Sequence, residues 1–124
     1  MSEDALKYMK SLMKSLGIPY KFVSWIGKVP ERYFIGEYTE VESPTYEENG
    51  YQETSFMITG FTRGSWDLLE KDKKKIKDAL PKKAIFEDGS GIAVLYGNAF
   101  PIPQDDPALK RIQINLTIKE WKVK

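Results

Sequence analysis

The chain has 124 residues, a length for one domain, with 19 Lys and Arg against 18 Asp and Glu, a net charge of +1 and 41% hydrophobic residues. It contains no His and no Cys, which removes the commonest general base, the commonest metal ligand, thiolate nucleophiles, disulfides and iron–sulfur ligation. Near-neutral charge argues against a protein that chiefly neutralises phosphates, and no apolar run reaches the ~20 residues of a membrane span, so the chain reads as one cytosolic, unprocessed domain, 1–124.

The first 16 residues place Ala5, Leu6, Met9, Leu12, Met13 and Leu16 three and four apart with Lys7, Lys10, Ser11 and Lys14 between them, which predicts an amphipathic helix. Ser2, Glu3 and Asp4 suit its first turn, and Gly17 with Pro19 supplies a stop. Tyr20 to Trp25 is rich in strand formers and reads as a short strand. Arg32 to Ser43 and Tyr51 to Arg63 are two longer strand-like stretches, joined by a polar connector that ends in Asn49-Gly50, the signal of a hairpin.

Helical periodicity returns from Ser65 to Leu80, with Ser65 as the cap and Trp66, Leu69, Ile76 and Leu80 on one side. Asp67 with Lys71 and Glu70 with Lys74 stand four apart and mark the solvent face. Lys71, Lys73, Lys74, Lys75 and Lys77 are interspersed with Asp67, Glu70, Asp72 and Asp78, which blunts any attraction for phosphate.

Beyond Pro81, Ala84 to Phe86 and Ile92 to Tyr96 flank a Gly-rich turn and form a small hairpin or an edge strand. The stretch from Gly97 to Pro107 contains Pro101, Pro103 and Pro107 and is expected to be a loop, too rich in Pro for a central strand. From Arg111 to Lys122, Ile112, Ile114, Leu116 and Ile118 alternate with polar residues, so one face is buried and the other wet. The elements together give an α+β, two-layer sandwich: a mainly antiparallel (mixed) sheet with two helices packed on one face.

Few residues offer chemistry. Glu47-Glu48, Glu87-Asp88 and Asp105-Asp106 are paired carboxylates, but all lie in turns beside Gly, Pro or Asn, where solvated turn residues are the commoner outcome. No stretch has the acidic spacing of an EF-hand, and Glu87 to Gly91 lacks the Lys-Ser/Thr ending of a phosphate loop. No cofactor, metal or catalytic residue is expected.

The aromatic residues divide between core and contact. Phe34, Phe56, Phe61 and Trp66 are expected beneath the helices. The two central hairpin arms carry Glu37, Glu40, Glu42 and Glu53 rather than basic residues, which suits protein contact better than stacking on a nucleic acid. Tyr46, Glu47, Glu48 and Asn49 at the hairpin tip, with Phe100 and Ile102, are the candidate interface residues, and tip-in-groove or edge-to-edge association with neighbouring copies is the expected mode.

The order of these elements resembles the tail-completion or tail-terminator proteins of long-tailed bacteriophages and related prophages. The likeness lies in the N-terminal amphipathic helix, the Arg32-Tyr33-Phe34-Ile35-Gly36-Glu37-Tyr38 strand and the acidic tip. It continues through Glu53 to Thr62 into the second helix and ends with Arg111 to Ile118. The resemblance implies a non-enzymatic virion subunit, made in the host cytoplasm, that assembles as a homo-oligomeric ring, typically a hexamer, on the tail-tube protein. There it stops tube growth and presents a surface to the head-closure or neck protein, with Tyr46 to Gly50 and the Gly97 to Pro107 stretch as the analogous contact regions. No membrane contact and no direct reading of nucleic acid are implied. A head-closure or connector protein of the same particle is an alternative. So is a small regulatory nucleic-acid-binding module using Lys73, Lys74 and Lys77.

Overall fold

The computed structural model describes residues 1–40 and 51–121. The hairpin tip predicted around Asn49-Gly50, with Tyr46, Glu47, Glu48 and Asn49, lies outside these residues.

Helix α1 runs Glu3–Ser15 because both ends are specified by sequence. The Ser2 hydroxyl accepts a hydrogen bond from the Ala5 N–H at 3.1 Å, and Glu3 and Asp4 lie in the positively polarised first turn. At the other end Gly17 takes φ +71, which a residue with a Cβ would resist. That conformation lets Gly17 N–H reach Lys14 O at 3.0 Å and Ile18 N–H reach Met13 O at 3.1 Å, closing the helix in a Schellman motif.

The strands follow as β1 (Tyr20–Phe22), β2 (Arg32–Glu40) and β3 (Tyr51–Thr62), then helix α2 (Asp67–Ala79), then β4 (Lys82–Ile85), β5 (Gly91–Ile102) and β6 (Lys110–Trp121). They form a six-stranded sheet in the order β1-β2-β3-β6-β5-β4. β1 is parallel to β2, and every other pairing is antiparallel. The expected α+β architecture, a mixed sheet with two helices over one face, is what forms.

The covered face follows the period-two alternation. Ile112, Ile114, Leu116 and Ile118 of β6, Phe56 and Ile58 of β3, Phe34 of β2 and Ile92 and Val94 of β5 are buried in one cluster. Ala5, Met9, Leu12 and Met13 of α1 and Leu69 and Ile76 of α2 complete it. Burying side chains of this size contributes about 1.5–3 kcal/mol each. Phe34 owes its seat to Gly60 opposite: a Cβ there would overlap the Phe34 ring.

Polar ties set the helices on the sheet. Glu120 of β6, 7% exposed, accepts from the Ser2 backbone N–H at 3.1 Å and from the Ser2 hydroxyl, so the cap of α1 is also its anchor. Arg32, at the start of β2, donates from Nε to Asp72 Oδ2 of α2 at 2.6 Å and from Nη2 to Gly17 O at 3.1 Å. Asp72 is 1% exposed, and Lys75 Nζ stands 3.8 Å from its other oxygen. One guanidinium thus joins both helices to the sheet.

Four expectations need correction. β1 is only three residues long, because Val23 takes φ +71 and Ser24 N–H bonds back to Phe22 O at 2.9 Å, a strained γ-turn that throws the chain off the sheet. The Gly97 to Pro107 stretch is not all loop, since β5 continues to Ile102. A bulge between Tyr96 and Asn98 keeps its faces in phase with β6, and Pro101 is tolerated because β4 pairs only with Gly91 to Val94, leaving the rest of β5 an edge. Phe61 is not under the helices; it lies on the opposite face, as its odd place in the β3 alternation requires. On α2, Glu70 pairs with Lys73 at 2.7 Å and Lys74 with Asp78 at 3.0 Å instead of with each other. The Trp66 indole, donating to Glu70 Oε1 at 3.1 Å, holds that carboxylate toward the helix start.

Candidate interaction surfaces

Two surfaces stand out, and both come from positions where, among the described residues, no helix covers a strand face or no strand pairs with a strand edge. The first is the helix-free face of the sheet. Because β2, β3, β6 and β5 pair in register, Tyr33, Phe61, Arg111 and Ile102 form one row across it, and Ile35, Thr59, Gln113 and Phe100 form the next.

The first row is a ladder of rings ended by cations. Tyr33 and Phe61 stack with centroids 5.2 Å apart, and the Arg111 guanidinium lies over Phe61 at 5.5 Å. Beyond Tyr33 the loop after β1 brings Trp25 to 5.8 Å, and Lys21 Nζ sits over the Trp25 ring at 5.6 Å. Phe61 is thus flanked by Tyr33 and Arg111, and Tyr33 by Phe61 and by a Trp25 ring tilted 58° to it, so the rings of the ladder are packed against one another within the chain.

Of the interface candidates read from the sequence, the structure places Phe100 and Ile102 on this helix-free face, two residues apart on the β5 edge. Phe100 is 41% exposed. Sequence reasoning did not single out the ladder. Its only signal was that Tyr33, Phe61 and Arg111 occupy alternate positions on three separate strands, which becomes a row only once the register is known. The loop that supplies Trp25 also leaves Val23, Ile26 and Val29 exposed, Ile26 by 90%.

The second surface is a groove between α1 and β1, of about 250 Å³, walled by Leu6, Tyr20 and Phe22 and flanked by Lys7, Lys10 and Lys21. Burial raises the pKa of the Tyr20 hydroxyl well above its ordinary value, so this phenol stays neutral. Phe22 stacks on Tyr38 at 5.8 Å and on Phe56 at 6.4 Å, which holds the wall of the groove rigid against the core.

Glu47-Glu48 lies outside the described residues; among those described, Glu87-Asp88 and Asp105-Asp106 do not converge with other acidic side chains. Asp88 accepts from the Ser90 N–H at 2.8 Å and from the Ser90 hydroxyl, and these bonds hold its pKa below the usual carboxylate value. Asp106 accepts from Arg63 Nη1 at 2.8 Å and from Ala108 N–H at 2.9 Å, with the same downward effect, led by the Arg63 bond. A general acid needs its pKa raised toward neutrality, whereas Asp88 is held in the charged form by Ser90 of its own turn and Asp106 chiefly by Arg63. Among the described residues no three acidic side chains converge as a metal site, and no helix is long and apolar enough to cross a membrane.

The α+β sandwich with one bare sheet face is the class that these observations define. No protein-family model matches the chain, and no characterised protein matches it in sequence. Among solved structures it is similar to a chain from the virion of the native gene transfer agent (GTA) particle, with a TM-score of 0.62 at 13% identity. The match covers 89% of this chain and 84% of that one, so the shared feature is the fold across nearly the whole length.

Proposed function

We propose that this chain, acting as one domain, is a structural subunit of a phage-like particle, and within it the tail terminator that closes the tail tube as a hexameric ring. The observation that carries this reading is the fold shared with a chain of the gene transfer agent virion over most of both lengths. The aromatic ladder packed within the chain, and Asp88 and Asp106 held in the charged form by Ser90 and Arg63, support a reading in which shape and surface are the means of action. A non-enzymatic role follows, with the host cytoplasm as the place of assembly and the virion tail as the destination.

In this reading the subunit has three partners: further copies of itself, the tail-tube protein and a head-closure or neck protein. The bare sheet face with Phe100 and Ile102, and the tip with Tyr46, Glu47, Glu48 and Asn49, supply the contacts. Such contacts suit a closed heterologous ring, in which each copy offers two different patches.

Light scattering of the purified chain, alone and with purified tail tubes, followed by electron microscopy, tests the proposal. The expected result is a sixfold ring in solution or on tube ends, with tubes stopped at constant length. A chain that stays monomeric at high concentration and ignores tubes overturns it. Binding to filled heads in place of tubes would instead identify a connector.

A further inference from the structure

The loop between β1 and β2 carries two costs that its own chain does not offset. Val23, a β-branched residue, takes φ +71 in the γ-turn that ends β1, a strained conformation. The chain that leaves this turn exposes Val23, Ile26 and Val29 to solvent. Single exposed aliphatics are ordinary, but strain and a cluster of them in one short loop mark a contact site.

We infer that this loop docks on the outer edge of β5 in a second copy of the chain, head to tail. The inference rests on the ring-forming reading above and names the two surfaces that join.

Complementarity is the first argument. Beyond Val94 no strand pairs with the outer side of β5 among the described residues, and Phe100, Pro101, Ile102 and Pro103 give that edge an apolar surface leading to Asp105. Charge divides in the matching sense. Residues 20–30 contain Lys21 and Lys28 and no Asp or Glu, while residues 91–109 contain Asp105 and Asp106 and no Lys or Arg. Asp106 is held by Arg63 at 2.8 Å, and Lys21 lies over the Trp25 ring. Lys28 and Asp105 are both exposed and have no ion pair among the described residues, so the loop carries an unpaired cation and the edge an unpaired carboxylate.

Position is the second argument. The loop leaves from the outer side of β2, where Val23 N–H bonds to Gly36 O, and β5 stands three strands away across the sheet. Trp25 packs on Tyr33 and Ile102 pairs with Arg111, so both surfaces lie at the end of the sheet opposite Glu40 and Tyr51. Within one chain they do not cover each other, since Ile26 is 90% and Phe100 41% exposed. In successive copies turned in the same sense, the β2 side of one faces the β5 side of the next. The two surfaces differ, so the contact is heterologous, and repetition around an axis closes a ring. Pro101 removes an N–H from the edge, which leaves side chains rather than a continued strand ladder to make the contact.

The absence of Cys makes the test direct. Ser24→Cys, on the loop, and Gln104→Cys, just beyond the end of β5, are prepared separately, mixed at assembling concentration with and without tail tubes, and oxidised gently. A disulfide-linked heterodimer well in excess of either homodimer is expected. Adding Lys28→Asp to the Ser24→Cys chain should lower its yield about fivefold, as repulsion replaces an exposed ion pair. Adding Asp105→Lys to the Gln104→Cys chain as well should restore the yield. Thermal melts check that each variant folds.

A heterodimer no commoner than the homodimers, where light scattering records an assembly, overturns the inference and leaves the ring to other surfaces. So does a yield that Asp105→Lys fails to restore. A benzophenone carried on Ser24→Cys that labels the tail tube and not a second copy assigns the loop to the tube and also overturns it. A chain that neither cross-links nor assembles, with or without tubes, refutes both readings together.

Discussion

Replacing Arg32 by Met would leave Asp72, 1% exposed in the middle of α2, without the Nε donor that it holds at 2.6 Å. Removing one partner of a buried pair costs about 3–5 kcal/mol, mainly because the surviving charge stays desolvated. Lys75 Nζ, 3.8 Å from the other Asp72 oxygen, offers partial compensation, so the lower end applies, about 3 kcal/mol. For a chain of this size that is a fall in melting temperature of about 10 °C. The opposite change is milder. Asp72→Leu strands a guanidinium that is 27% exposed and keeps its bond to Gly17 O, so about 1–2 kcal/mol is expected.

The double variant Arg32→Met with Asp72→Leu removes both charges and should lie within about 1 kcal/mol of the parent. Urea unfolding followed by circular dichroism, arranged as a double-mutant cycle, gives the coupling, expected at about 3 kcal/mol. A loss below about 1 kcal/mol for Arg32→Met, or a double variant as weak as the sum of the singles, would refute the claim that this ion pair fastens both helices to the sheet.

Two further outcomes are checked more simply. Gly60→Ala sets a methyl group into the ring of the fully buried Phe34 and should destabilise by at least about 2 kcal/mol in the same urea assay, whereas an exposed substitution such as Lys71→Ala should change stability by less than about 0.5 kcal/mol. Asp106 has a folded pKa below the ordinary carboxylate value, chiefly through the Arg63 bond, so its contribution to stability is present above about pH 4 and is lost as pH falls through the depressed value. Carboxyl carbon shifts followed by NMR should show Asp106 titrating below a typical Asp, and Arg63→Ala should move it back up; an unchanged midpoint would show that Arg63 is not the cause.

Much of the frame was legible because local rules write it directly into the chain. The Schellman stop at Gly17 and Ile18, the Ser2 cap and the alternation of Ile112, Ile114, Leu116 and Ile118 each depend on residues a few positions apart. Where the reading failed, a distant partner had decided. Pro101 fits a strand because β4 stops at Lys82 opposite Val94 and leaves that part of β5 unpaired on its outer side. Trp25 left the predicted first strand because Val23 turned the chain toward Tyr33. Asp72 read as one of several solvated acids on a lysine-rich helix until Arg32 was brought to it from forty residues away.

The candidate surfaces divide in the same way. Composition alone excluded His and Cys chemistry, and the sequence offered Phe100 and Ile102 as interface candidates in an expected loop, because residue types and short-range patterns need no coordinates. Strand order and register are set by which apolar faces bury together, a property of the whole chain. Only that choice could align Tyr33, Phe61 and Arg111 as a ladder, or set Lys7, Lys10 and Lys21 along one groove beside an open strand edge.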